Sequence, residues 1–101
     1  MLSNKEEYLQ ILRHISNKPG ASQRVLANFL GFSIGKLNYC LKALKNKGLI
    51  KIDNFKKNPN KINYIYLLTP KGIAYKTKLT IFFMKLKMQE YDELKKESLK
   101  N

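Results

Sequence analysis

Apolar positions recur every three to four residues over the first half of the chain, then run almost continuously, then return to the longer period. Tyr8, Leu12 and Ile15 share one stripe, with Leu9 and Ile11 beside it, which predicts a helix ending around Asn17, ahead of Pro19-Gly20. Ser3 and Glu6 have capping-box spacing at its start. Ser22 is placed to cap a second helix whose apolar face is Val25, Leu26, Phe29 and Leu30, and Gly31 ends it. Ser33 caps a third, in which Leu37, Leu41 and Leu44 lie on one side; Ile34 is assigned to the same side, and Gly48 closes the helix. Leu49 to Phe55 and Ile62 to Thr69 are rich in β-branched and aromatic residues. The segment Lys56-Lys57-Asn58-Pro59-Asn60-Lys61 separates them, which predicts a β-hairpin with a long loop. Thr69-Pro70-Lys71-Gly72 then opens a last helix reaching about Leu99, roughly 45 Å at about 1.5 Å per residue.

Helix, helix, helix, strand, strand, helix is the order of a winged helix-turn-helix, a mainly α fold with one β-hairpin. Residues 1–69 make up the expected DNA-binding domain and 70–101 a C-terminal dimerisation helix. That last helix carries more apolar residues than one face needs. Leu79, Phe82, Phe83 and Leu86 form one stripe; Met84, Met88 and Tyr91 form another, continued by Leu94. A helix apolar on several sides is buried on several sides. Leu79, Phe82, Phe83, Leu86 and Met88 are therefore the expected seam of a homodimer.

The charge distribution sharpens the reading of partners. The chain of 101 residues has a net charge of +13, with its acids at the ends; from Tyr8 to Gln89 the only acid is Asp53, against 16 Lys and Arg. A body so uniformly basic repels itself and matches a polyanion. The opening MLSNKEEYLQ lacks the apolar run of a secretory signal, and no window approaches the roughly 20 apolar residues of a membrane span. The lysines run through helices, turns and hairpin, not along one amphipathic helix, so a membrane partner is disfavoured. One cysteine, Cys40, cannot form an internal disulfide and suits a reducing cytoplasm. It is expected to be a half-buried small hydrophobe; Lys36 and Lys42 nearby are the one feature that favours a redox-sensing thiol. His14 is the sole histidine and has no neighbour at metal-ligand spacing. With one His, one Cys and acids confined mostly to the ends, the chain lacks the nucleophile, base and orienter of an enzyme. No metal or cofactor is expected.

The residues left for a nucleic acid are specific. On the third helix Gly35, Lys36, Tyr39, Lys42 and Ala43 oppose the leucine face, with Asn38 on its edge. Asparagine can pair bidentately with adenine, tyrosine can bond a phosphate or stack on sugar or a thymine methyl, and Lys36 and Lys42 suit phosphates. Ser33 and the N–H groups around it open that helix toward a phosphate. Gln23 and Arg24 begin the helix that crosses the backbone, and Lys56, Lys57 and Lys61 form the expected wing contacts.

The runs S-Q-R-x-L-A-x-x-L-G (Ser22 to Gly31), S-x-G-K-L-N-Y-C-L-K-A-L (Ser33 to Leu44), K-G-L-I (Lys47 to Ile50) and Y-L-L-T-P-K-G (Tyr66 to Gly72) resemble bacterial MarR-type winged-helix regulators. The chain is most similar to the small subgroup associated with exopolysaccharide gene clusters. The resemblance implies a homodimeric, sequence-specific double-stranded DNA-binding transcriptional regulator, with Asn38 and Tyr39 where such proteins read bases and exopolysaccharide genes as targets. Larger members dimerise through helices from both ends of a longer chain. This one has a short first helix and a single long last helix, so a small-molecule effector site does not carry over. The alternatives are an RNA-binding or a protein-interaction winged-helix module. The first favours exposed aromatics for stacking on unpaired bases; the second has no use for the basic body.

Overall fold

The computed structural model describes the backbone of residues 2–58 and 61–100 and the side chains of residues 4–53 and 65–100. Among them the elements run α1 (Leu2–Asn17), α2 (Gln23–Leu30), α3 (Ile34–Asn46), β1 (Ile50–Asn58), β2 (Lys61–Leu68) and α4 (Pro70–Lys100). This is the winged-helix order. The strands form one antiparallel hairpin, with Ile50 opposite Leu68, Ile52 opposite Tyr66 and Lys56 opposite Ile62.

The core gathers one face from each element. Tyr8, Leu9, Ile11, Leu12 and Ile15 of α1 meet Leu26 and Ala27 of α2, and Leu37, Cys40, Leu41 and Leu44 of α3. Leu49, Ile50 and Tyr66 of the hairpin and Leu79 of α4 complete it. The stripe expected on α1 is buried throughout, and α3 turns its leucine side inward. Burying a side chain of this size contributes about 1.5–3 kcal/mol, so these contacts, more than helix propensity, hold the short helices in shape.

Several expectations are corrected. α1 is already under way at Leu2, so Ser3 lies inside its first turn and is not the cap. On α2, Val25 and Phe29 are 51% and 67% exposed, and Leu26 and Ala27 fill the core position instead. A helix of eight residues buries only a narrow side, and Val25 and Phe29 share the flank next to it. Ile34 is 49% exposed because the whole first turn of α3, from Ser33 to Lys36, lies at the edge of the bundle. The hairpin is longer than expected: Lys56, Lys57 and Lys61 lie in the strands, with an irregularity in register between Lys56 and Asn58. Thr69 belongs to no strand.

Thr69 locks the hairpin to the last helix. Its N–H donates to the Leu49 carbonyl at 3.1 Å, and its hydroxyl donates to the Gly48 carbonyl at 2.6 Å. The same oxygen accepts from the N–H of Gly72 at 3.0 Å, capping α4. Gly72 has to be glycine: a Cβ there would lie 1.9 Å from the Leu49 carbonyl oxygen. The turn between α3 and β1 needs glycine for a different reason. Gly48 adopts φ +74°, its N–H donates to Lys45 and that of Leu49 donates to Leu44, a Schellman closure of α3.

Candidate nucleic-acid interface

The two motif helices are set by their caps. The Ser22 hydroxyl oxygen accepts from the Val25 N–H at 3.2 Å, and that of Ser33 accepts from the Lys36 N–H at 3.1 Å. Between them Gly31 takes φ 72°, and Phe32 N–H returns to the Ala27 carbonyl, so α3 leaves in a new direction after a three-residue turn. With Leu37, Cys40, Leu41 and Leu44 buried, α3 presents Gly35, Lys36, Asn38, Tyr39 and Lys42 to solvent. Tyr39 is 67% exposed, a large ring with no place in the core. Ala43 is only half-buried, at the margin of that face.

The structure joins some of the predicted residues and separates others. Gln23 of α2 donates from its side-chain amide to the side-chain oxygen of Asn38, which bridges the two motif helices across the exposed face. Arg24 is exposed beside it. Lys42 and Asn38 share a shallow hollow of about 420 Å³ with Lys45, Leu41, Ile52 and Tyr66, where α3 meets the hairpin. Lys45 is the residue sequence reasoning passed over. It stands three residues after Lys42 and seven after Asn38, so helical spacing alone places all three on one side. The side chains of Lys56, Lys57 and Lys61 lie outside the described residues.

Lys36 is engaged elsewhere. Its ammonium pairs with Glu7 of α1 at 2.8 Å and lies 4.4 Å from the centre of the Phe32 ring. Glu7 also accepts from the Cys40 thiol at a sulfur–oxygen distance of 3.9 Å. Glu7 thus ties the start of α3 to α1. Burial pushes the Cys40 thiol up, and the Glu7 carboxylate adds to it, outweighing the opposing pull of Lys36. Cys40 is also fully enclosed by the core. The small hydrophobe expected at Cys40 is buried more deeply than the half-burial anticipated, and the lowering that Lys36 and Lys42 would favour does not prevail, because Glu7 of another helix stands beside the thiol. Burial likewise raises Tyr8, with Cys40 as the next contributor.

His14 is buried in the core, its ring 4.3 Å from that of Phe29, and its Nε2 has no hydrogen-bond partner. Among the described residues no three His, Cys, Asp or Glu side chains gather at metal-binding distance, and no helix is long and apolar enough to cross a membrane. The dimer residues anticipated on α4 divide. Leu79 is buried by its own domain and Phe83 packs against the same core, whereas Phe82 and Met88 are exposed and Leu86 is half-buried.

The architecture defines a winged helix-turn-helix. In agreement, residues 9–51 match the family model of winged helix-turn-helix DNA-binding domains. Solved structures share the fold over most of the chain. PcaV, a transcriptional regulator from Streptomyces coelicolor solved with its natural ligand, superposes with a TM-score of 0.77 at 15% identity, covering 86% of this chain and 60% of PcaV. The repressor CouR, solved on a 23-mer DNA duplex, gives 0.73 at 23% identity, over 85% of this chain and 59% of CouR. Staphylococcus aureus MarR, solved with salicylate and kanamycin, gives 0.68 at 21% identity, over 86% of this chain and 57% of that one. At these identities the likeness is one of fold. The chain spans about 60% of the length of the structures it matches. No curated relative matches the sequence.

Proposed function

We propose that this protein is a homodimeric, sequence-specific regulator of transcription that binds double-stranded DNA, with α3 in the major groove. The observation that carries the reading is the exposed face of α3. Asn38, Tyr39 and Lys42 stand out together from a helix whose other side is fixed in the core, on a body that is otherwise almost wholly basic. The match of residues 9–51 to DNA-binding winged helices supports it, as does the likeness in fold to a repressor solved on DNA. Asn38, oriented by Gln23, and Tyr39 are the proposed base readers. Gln23, Arg24, Ser33 and Lys42, together with Lys56, Lys57 and Lys61 of the hairpin, are assigned to the phosphate backbone, with Lys45 added to them; Lys36 joins them only by giving up its pair with Glu7. In this reading residues 1–69 bind DNA and residues 70–101 dimerise, and the resemblance to exopolysaccharide-associated MarR-type proteins supplies the proposed target genes.

Duplex binding measured against salt and sequence tests this. Affinity falls as salt rises, with a slope of about −0.9 per phosphate contacted. Lys56→Ala, Lys57→Ala and Lys61→Ala together weaken binding to every duplex alike. Asn38→Ala costs about 1–3 kcal/mol on the preferred site and much less on random DNA. A salt slope shallower than about −2 overturns the phosphate-contact picture. Tighter binding to single-stranded RNA than to any duplex turns the reading to an RNA module.

A further inference from the structure

A polar contact joins the two motif helices on the exposed face of α3: the Gln23 side-chain amide donates to the Asn38 side-chain oxygen. Both residues stand on fixed backbone. Gln23 opens α2 directly after the Ser22 cap and is half-buried. Asn38 follows the buried Leu37 on α3 and is itself exposed.

A carboxamide has two unlike ends, an oxygen that only accepts and a nitrogen that only donates. Half a turn about the last side-chain bond exchanges them with almost no change in shape. The bridge removes that freedom. While Gln23 donates, the Asn38 oxygen stays toward α2 and its nitrogen stays away from it. The oxygen keeps a second lone pair and the nitrogen carries two N–H groups, so the amide can still pair with a base.

The sense of the amide matters because a base-pair edge in the major groove is directional. A·T presents purine N7 as acceptor, N6 as donor, thymine O4 as acceptor and then the methyl group; T·A presents the same row in reverse. An amide of fixed sense that bonds adenine N6 and N7 in A·T sets its oxygen against the O4 acceptor in T·A, and both bonds are lost. An amide free to turn offers its N–H to that O4 and keeps one bond.

We propose that Gln23 is the positioning residue that lets Asn38 tell A·T from T·A, by holding the Asn38 amide in one sense. This rests on the DNA-binding reading and adds to it a class of base, adenine on one defined strand, and the residue that sets the strand. Gln23 acts here through Asn38, not on the base itself.

Selection of binding sites from a random-sequence duplex pool by the full chain tests this. Neither residue belongs to the core cluster, so the variants are expected to keep the fold. The position read by Asn38 is the one whose preference disappears in Asn38→Ala. There the protein is expected to favour A·T over T·A by about five- to 150-fold, the worth of a bidentate pair. Gln23→Ala frees the amide and narrows that ratio about fivefold, one hydrogen bond being regained on T·A. Gln23→Glu turns the amide round, because a carboxylate accepts and cannot donate, and T·A becomes the favoured pair. The added charge weakens binding to all duplexes alike and leaves the ranking of bases untouched. An unchanged preference for A·T in either variant overturns the proposal, as does a preference in Gln23→Glu that shrinks without reversing. A preference of the protein for G·C or C·G at that position overturns it as well. If Asn38→Ala alters no position, Asn38 is not a base reader and the proposal falls, while duplex binding stands. Absence of duplex binding removes the DNA reading itself.

Discussion

α3 and α4 are both amphipathic, yet they stand in opposite relations to the core. α3 has 13 residues and buries Leu37, Cys40, Leu41 and Leu44; α4 has 31 and buries only Gly72 and Leu79. Every turn of α3 after the first touches the domain, so its exposed face is held in one orientation. α4 is held for its first half only and then projects, giving the molecule a length of 66 Å against widths of 26 and 22 Å. A helix that reads a ligand needs to be rigid on its back; a helix that reaches another chain needs an unburied end. The leucines of α3 are consumed by its own domain, whereas α4 leaves apolar residues in surplus along its length.

The largest test of this contrast is truncation on each helix. Leu44→Ala, which opens a cavity behind α3, is expected to destabilise the fold by about 2–5 kcal/mol in urea unfolding. Leu94→Ala on the projecting end should change the stability of the dissociated chain by less than about 0.5 kcal/mol. Comparable losses at the two positions would remove the distinction. Next comes the root of α4. Gly72→Ala forces a methyl group against the Leu49 backbone and should cost about 1–3 kcal/mol or more, where Gly35→Ala, with open space around its Cα, should not destabilise. A smaller effect belongs to the caps. Ser33→Ala leaves the Lys36 N–H without its acceptor and is expected to lower the thermal midpoint by an amount corresponding to about 1 kcal/mol.

The smallest effect concerns pH and Cys40. The native thiol is raised by burial and by Glu7, so the folded state holds this proton more tightly than the unfolded chain does. The stability it contributes is fully present below the ordinary thiol value, about 8.5, and is lost as pH climbs from there through the raised native value. Replacing Cys40 by Ala should flatten the decline in stability at alkaline pH. In the native protein a thiol-alkylating reagent should react far more slowly with Cys40 than with the urea-unfolded chain.

Much of the fold was legible in the residue pattern because its signals are local. Ser22 and Ser33 each cap the helix they were expected to cap, and Thr69 caps the helix its segment opens, since a cap depends only on a side chain and an N–H three residues later. Gly31 and Gly48 end helices because both adopt a positive φ. The stripes Tyr8-Leu12-Ile15 and Leu37-Leu41-Leu44 were readable because a helix with one buried side repeats its apolar residues at a fixed period. The exposed face of α3 followed by subtraction.

What could not be read depends on which neighbour covers a residue. Val25, Phe29 and Ile34 have the composition of core residues but stay half or more exposed, Phe29 with one side on His14 of α1, while Ala27, too small to stand out in a pattern, is buried. The partners of Lys36 come from Glu7 and Phe32, and the chemistry of Cys40 is set by Glu7, an acid 33 residues away in sequence. Spacing along the chain reports which residues share a face; only the packed chain determines what that face meets. Period, caps and turns are contests between a residue and its own backbone, settled within a few positions. Burial, charge pairing and the close approach of Gly72 to Leu49 are settled between segments far apart in sequence, and these exist only once the chain has folded.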